Sequence, residues 1–248
     1  MKKFKMIKRI FNKKNIRHLL KYWKDSLRFK ELGGNITHFH PIMNEFSASA
    51  GSTSGHYYHQ DLLVANHIFL ENPSRHIDIG SRIDGFVAHV AAFRKIEVMD
   101  IRNLEESVHT NIQFIQRDLM NNESEHYQAY DSISCLHAIE HFGLGRYGDN
   151  LDPFGHVKGF NNILKMLKKD GTLYISFPIG KSNEVHFNSQ RVFDPDDIFL
   201  WAKKELKINL VRFDFVDDVG SLHKNINIED IKNKVSYGCG IYTFKKVS

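Results

Sequence analysis

From residue 75 onward the chain alternates short apolar runs with amphipathic ones, and this alternation constrains its fold more than any other feature. Runs at 75–79, 95–99, 112–116, 131–136 and 171–177 have the length and apolar character of strands. Helical patterns lie near 84–93, 156–168 and 194–204, and another at 57–71, closed by Pro73, precedes them. Short strands alternating with helices make parallel βαβ units, whose sheet is buried on both faces. The end of the chain departs from this pattern. "ELKINLVRFDFVDD" and "YGCGIYTFKKV" are strand-like runs with no clear helix between them, which predicts an antiparallel pair at the C-terminal edge.

Ahead of the alternation, residues 1–31 predict a basic helix that ends near Gly33-Gly34. Phe4, Ile7, Ile10 and Phe11 recur at helical spacing among its lysines and arginines. One face is therefore expected to pack on the domain or on a second copy of the chain as a homo-oligomer, and the segment is not expected to read nucleic acid. The polar, small-residue stretch "SASAGSTSGHYY" predicts a flexible loop, or a lid. This divides the chain into an extension at 1–56 and a main domain at 57–248. Much of the net charge of +5 sits in the extension, and a hydrophobic content of 42% is enough to build a core. No apolar run has the length of a membrane span, and the N-terminus has no secretory pattern. The two cysteines, Cys135 and Cys239, stand inside strand-like runs. They predict buried thiols in a reducing compartment, by default the cytoplasm, and neither a disulfide nor a metal framework.

The chemistry concentrates at the predicted strand ends. In "HIDIGSRIDGFVAHV" an apolar strand runs into Asp78, then Gly80 and Gly85, then a helical run. In an open parallel sheet, ligands bind beyond the carboxyl ends of the strands, where strand order reverses. A glycine in the first strand-to-helix turn lets the backbone approach a ligand without a Cβ in the way. Gly80 and Gly85 are five apart, so the turn does not carry the dinucleotide fingerprint. Asp100 ends the second strand twenty residues after Gly80, a spacing that suits a carboxylate accepting ribose hydroxyls. Asp118, after the third strand, can accept from an adenine amino group or cap a helix. The fourth strand, "YDSISCLHAIEHFGLG", delivers His137, Glu140 and His141 to the same edge.

In this order, the "DIGSRIDG" turn, Asp100, "RDLMN", "YDSISCLHAIEH" and "LKKDGTLYISFP" resemble the successive motifs of class I S-adenosylmethionine-dependent methyltransferases, over roughly residues 70–246. The turn is sparser in glycine than the common family pattern. "LHAIEHFGLGRYGDNLDPFG" is similar to an uncharacterised branch of methyltransferase-like proteins, some of them encoded with bacterial surface-polysaccharide genes. The resemblance implies an α/β fold: a Rossmann-like, seven-stranded, mostly parallel sheet with an antiparallel C-terminal pair, helices on both faces, and here a helical N-terminal extension. It implies S-adenosylmethionine as cofactor. Asp78, Gly80 and Gly85 would line the methionine portion and Asp100 the ribose. Asp118 and Leu119 would flank the adenine, and Cys135, Leu136 and His137 would edge the sulfonium.

The Asn/Asp-Pro-Pro-aromatic motif common in amide and nucleobase N-methyltransferases is replaced here by "LHAIEHF", which points to O-methylation. An attacking hydroxyl needs a base, and a neutral histidine suits that role. His137 is the leading candidate and His141 the reserve, unless a continuing helix makes His141 structural. "GLGRYGDNLDPFGH" and "PIGKSNEVHFNSQRVFDP" supply Arg146, Tyr147, Asp149, Asp152, Lys181, His186 and Arg191. These would contact a hydroxyl-rich acceptor, a sugar or nucleotide sugar, with Lys181 and Arg191 on its diphosphate. No metal is expected. His137, Glu140, His141, Asp149 and Asp152 include the oxygen ligands that favour magnesium, but without a diagnostic spacing. The competing readings are a methyltransferase of a phosphorylated or amide metabolite and a non-catalytic binding protein that retains the fold.

Overall fold

The computed structural model describes residues 13–43, 45–105, 107–121 and 126–247. The apolar stripe of Phe4, Ile7, Ile10 and Phe11 lies outside them. The chain divides into two compact units between Ser52 and Thr53. The first contains helix α1 (Lys13–Glu31), which ends two residues before Gly33, at φ +89°. Within this unit the His18 ring lies 5.3 Å from Phe46 and Trp23 lies 5.2 Å from Phe39, while Leu20 and Leu27 of α1 are exposed.

The second unit begins with α2 (His56–Glu71). Just before it, the Gly55 N–H donates to the Gly220 carbonyl at 2.9 Å. The helix ends on Asn72 in the left-handed region, whose N–H donates to the Ile68 carbonyl, and Pro73 prevents continuation. Strands β1 (His76–Ile79), β2 (Ile96–Asp100), β3 (Ile112–Gln116), β4 (Tyr130–Leu136) and β5 (Leu167–Ile179) are mutually parallel, in the order β3-β2-β1-β4-β5. Between β1 and β2 stands the short helix α3 (Ala88–Ala91), and α4 (Gly155–Met166) leads straight into β5. A hairpin of β6 (Glu184–His186) and β7 (Gln190–Val192) stands apart from the main sheet. It precedes α5 (Ile198–Trp201), β8 (Ile208–Val216), β9 (Leu222–His223) and β10 (Gly238–Lys246).

The sheet has the expected class, mostly parallel with an antiparallel C-terminal pair, and carries eight strands where seven are expected. Two details extend the expectation. β10 inserts between β5 and β8, antiparallel to both, and the two-residue β9 adds an eighth strand at the edge. Alternation along the strands separates two cores. On one face Leu63, Val64 and Ile68 of α2 and Phe86 and Val90 cover Val98, Leu136, Tyr174, Cys239 and Ile241. On the other, Phe160, Ile163 and Leu164 of α4 and Trp201 of α5 cover Ile79, Cys135, Ile175, Phe177 and Tyr242. Val64 and Ile68 are fully buried, and each such side chain contributes about 1.5–3 kcal/mol.

Three elements differ from the sequence reading. The helix expected at 84–93 opens as a wide turn over Ile83–Val87, because Gly85 is non-helical at φ −119° and ψ −111°. The helix expected at 194–204 shrinks to Ile198–Trp201. Pro195 disfavours helical backbone at Asp194, and the Lys203 N–H is taken by Asn161 Oδ1 at 2.9 Å. The β6–β7 hairpin lies in a stretch read as loop. Among the described residues no helix is long and apolar enough to cross a membrane.

Candidate active site

Strand order reverses between β1 and β4, and their carboxyl ends open onto two adjoining cavities. Gly80 lines both. Its φ is +71°, its N–H donates to the Met99 carbonyl at 2.9 Å, and a Cβ there would stand 3.0 Å from Ala138 Cβ. The position therefore favours glycine on backbone and on space. Asp78 lies beneath the turn, fully buried, and does not line the cavities as expected. Its carboxylate accepts from the Ser81 N–H (2.9 Å), Ser81 Oγ (2.8 Å) and Ser134 Oγ (2.6 Å). Burial pushes its pKa up to about 7 against those hydrogen bonds. The hydrogen bonds continue from Ser134 to His76 Nε2 and from His76 Nδ1 to Ser132. Because Ser134 donates to Asp78, His76 donates through Nε2 and accepts at Nδ1, as a neutral ring.

Gly85 also departs from the expectation: it lines neither cavity. A Cβ on it would stand 3.1 Å from Asp61 Oδ2, so its small size lets the buried Asp61 reach the turn. Cys135 packs in the core beneath α4 and also lines neither cavity. A strand's side chains alternate, so Cys135 faces away from the side that Leu136 and the large cavity occupy.

The smaller cavity, about 60 Å³, is an apolar slot bounded by Ile101, Leu119, Met120 and Phe142, with Asp100 and Asp118 at its edges. Asp118 accepts from the Met120 N–H at 2.9 Å and from Asn121 Nδ2 at 2.8 Å, so it caps the turn over Leu119–Asn121. Asp100, at the end of β2, is forked by Arg102, whose guanidinium lies 4.6 Å from the Tyr147 ring centroid.

The larger cavity, about 730 Å³, reaches inward to Leu136 and the first residues of α2. His137 has φ +49°, and its N–H donates to the Ser176 carbonyl at 3.0 Å. Its side chain is 5% exposed, with Nδ1 2.8 Å from Glu140 Oε1. His137 Nε2, Glu140 Oε2 and Asp61 Oδ1 are buried without a hydrogen-bond partner. Burial opposes a cation on His137, but Cys239 and the Glu140 carboxylate outweigh it and raise the pKa well above the ordinary value. His56 stacks on His137 at 5.3 Å and 8°, and burial followed by His137 lowers its pKa to about 4. His141 Nδ1 stands 2.8 Å from the Ser189 carbonyl, so Nδ1 carries the proton and Nε2 offers a lone pair. Burial lowers its pKa and keeps it neutral near pH 7.

Of the expected acceptor contacts, Arg146 and Tyr147 line the larger cavity. Arg191, Asp152, Lys181 and His186 do not. The Arg191 guanidinium is buried and donates to the carbonyls of Glu140 (3.3 Å), Phe142 (2.7 Å), Asp152 (3.3 Å) and Pro153 (3.3 Å). With Nη1 and Nη2 on backbone carbonyls, it clamps the loop and does not face either cavity. Asp152 accepts from the Phe154 N–H at 2.9 Å and pairs with Lys158. Lys181 is exposed, and His186, also exposed, pairs with Glu184 in β6 at 2.7 Å. The sequence reading missed Arg102, Tyr237 and the polar start of α2. His56, Tyr57, Gln60 and Asp61 share one helix face at i, i+1, i+4 and i+5. A polar face on a helix whose Leu63, Val64 and Ile68 pack on the sheet was the available signal.

Three solved structures share this architecture. The cyclase SpnF is 11% identical, with a TM-score of 0.56 over 93% of this chain and 95% of that one. The N-methyltransferase NodS of Bradyrhizobium japonicum WM9, solved with S-adenosyl-L-homocysteine, is 11% identical, with a TM-score of 0.51 over 89% of this chain and 98% of that one. The 1,6-didemethyltoxoflavin N1-methyltransferase of Burkholderia thailandensis, solved with its substrate and S-adenosylhomocysteine, is 11% identical, with a TM-score of 0.51 over 96% of this chain and 92% of that one. At these identities the likeness is one of fold. No curated protein sequence matches the chain. A family model matches residues 87–231, from the first turn past the clamped loops to the segment before β10, and by that match the chain belongs to the family described as Caenorhabditis protein of unknown function, DUF268.

Proposed function

We propose that the protein is an S-adenosylmethionine-dependent O-methyltransferase whose acceptor is a sugar hydroxyl, on a nucleotide-activated sugar or a surface-glycan precursor. The observation that carries this reading is the convergence of Gly80, Asp100 and Asp118, from three successive strand ends, on one cavity mouth at the strand-order reversal. The donor set fits the cofactor. The apolar slot of Leu119, Met120 and Phe142 suits a flat base, Asp118 an amino group at its rim, Asp100 a ribose diol, and Gly80 a close backbone approach. The bound sulfonium supplies an already activated methyl group, so the chain's task is to position the acceptor and remove its proton.

His141 is the base in this reading, ahead of His137. Its Nδ1–H is held by the Ser189 carbonyl, Nε2 has its lone pair available, and it borders both cavities. His137 instead has Nδ1 engaged by Glu140. Arg82, Arg102 and Arg146 line the larger cavity and favour an anionic group on the acceptor. That supports a nucleotide-activated sugar, and equally supports the second reading, a phosphorylated metabolite. The resemblance of "LHAIEHFGLGRYGDNLDPFG" to proteins encoded with polysaccharide genes supports the sugar.

The test is incubation with methyl-labelled S-adenosylmethionine and a panel of nucleotide sugars and phosphorylated metabolites, with products identified by mass spectrometry. Label on a sugar oxygen is the expected result. Label only on a phosphorylated or amide metabolite would move the acceptor, and calorimetry showing no S-adenosylhomocysteine binding would remove the cofactor.

A further inference from the structure

At the wall of the larger cavity, three residues that the proposed methyl transfer does not use meet at one point. His56 is the first residue of α2, His137 follows β4, and Cys239 lies in β10. One ligand atom from each lies within 4.8 Å of the others, and Cys239 is fully buried. We propose that His56, His137 and Cys239 form a binding site for a zinc-type divalent ion, with a fourth position open to the larger cavity.

The argument rests on which atoms are engaged and which are not. Glu140 Oε1 occupies Nδ1 of His137, which leaves the ring's binding capacity at Nε2, a buried atom without a partner. A carboxylate on one ring nitrogen and a metal on the other is the arrangement that orients metal-ligating histidines. The Cys239 Sγ lies beside His137, and its contacts to Gln60 Oε1 and the Gly240 carbonyl, both at 3.7 Å, are weak ones for a thiol. The donor set of two imidazoles and one sulfur selects zinc and disfavours magnesium or calcium, which take oxygen. Bond lengths of about 2.0–2.1 Å to nitrogen and about 2.3 Å to sulfur require the three atoms to close in by about 1 Å. His56 is the ring that moves. It is the least buried of the three, and its plane lies nearly parallel to His137, so it must turn for the two lone pairs to converge. His56 and His137 both line the cavity, so an oxygen or nitrogen of whatever the cavity holds can complete a tetrahedron.

The test uses the full chain, stripped of metal with a chelator and titrated with cobalt(II) as a spectroscopic stand-in for zinc. One equivalent should bind, with intense visible bands of tetrahedral cobalt and a thiolate-to-cobalt charge-transfer band, and zinc should bleach both. Cys239→Ser should abolish the charge-transfer band, whereas Cys135→Ala, on the opposite face of the sheet, should keep it. Glu140→Gln should weaken cobalt binding about 10–100-fold. If Cys239→Ser does not fold, the less buried His56→Gln serves instead and should weaken cobalt at least as much as Glu140→Gln. No charge-transfer band, a band that survives Cys239→Ser, or unchanged affinity in His56→Gln would overturn the site. Cobalt spectra are read without S-adenosylmethionine or acceptor, so this result is independent of the methyltransferase reading.

Discussion

The guanidinium of Arg102 forks across the carboxylate of Asp100, with Nε 2.9 Å from Oδ1 and Nη2 2.5 Å from Oδ2. The acid proposed to take a ribose diol is therefore already paired with a cation from its own turn. Arg102 is 43% exposed and Asp100 10%, so the partner can leave while the carboxylate stays in place. Exchanging this pair for two ribose hydroxyls costs little, because such partly solvated pairs contribute about 0–1 kcal/mol.

Two substitutions separate these roles. Asp100→Asn is expected to weaken S-adenosylhomocysteine binding by about 1.5–3 kcal/mol, the loss of hydrogen bonds to a charged acceptor. Arg102→Gln should change it by less than about 1 kcal/mol. Calorimetry decides. If Arg102→Gln were as damaging as Asp100→Asn, the guanidinium itself would hold the ligand.

Turnover should depend on His141. His141→Ala is expected to lower the rate about 10²–10⁴-fold while S-adenosylhomocysteine affinity holds. Burial lowers the His141 pKa, so its basic form is already present at neutral pH and is lost only on acidification. The rate should rise with pH around a midpoint below the usual imidazole one, and a pH profile of the wild type tests this. Near wild-type turnover in His141→Ala would exclude the role.

Arg191→Met should destabilise the fold by about 2–4 kcal/mol, since several buried carbonyls lose their donor at once. Urea unfolding measures this. Unchanged stability combined with lost affinity for a nucleotide diphosphate would return Arg191 to anion binding.

His76 ties stability to pH. Burial, with Arg94 adding to it, lowers its pKa from 6.5 to about 3, so the folded protein holds it neutral while the unfolded chain protonates it. Its contribution is fully present above about 6.5 and is lost as pH falls toward about 3. His76→Gln should flatten the fall of unfolding free energy across that window in denaturant melts. An unaltered slope would show that other groups carry it.

Strands β1 to β4 were legible because each is a short local run, and a sheet covered on both faces enriches such runs in apolar residues. Asp100 and Asp118 were legible as acids at predicted strand ends, and tertiary structure placed both on one slot. The charge of Arg191 predicts an ion partner, whereas a buried guanidinium can equally be satisfied by carbonyls, here from 38 to 51 residues away. The hairpin at Glu184–Val192 was hidden by its three-residue strands, too short for periodicity to register.

The sequence by itself determined the parallel sheet, its flanking helices and the acids at its strand ends, because those follow from hydrophobic period and chain order. Only the tertiary structure decided that β10 threads between β5 and β8, and that the polar face of α2 closes the cavity. It alone brought Cys239 beside His56 and His137, residues that local pattern assigns to a core strand, a polar loop and the stretch after a strand. The physical reason is range: period and propensity act over a few residues, whereas these contacts join atoms 81 to 183 positions apart and exist only once the sheet has closed.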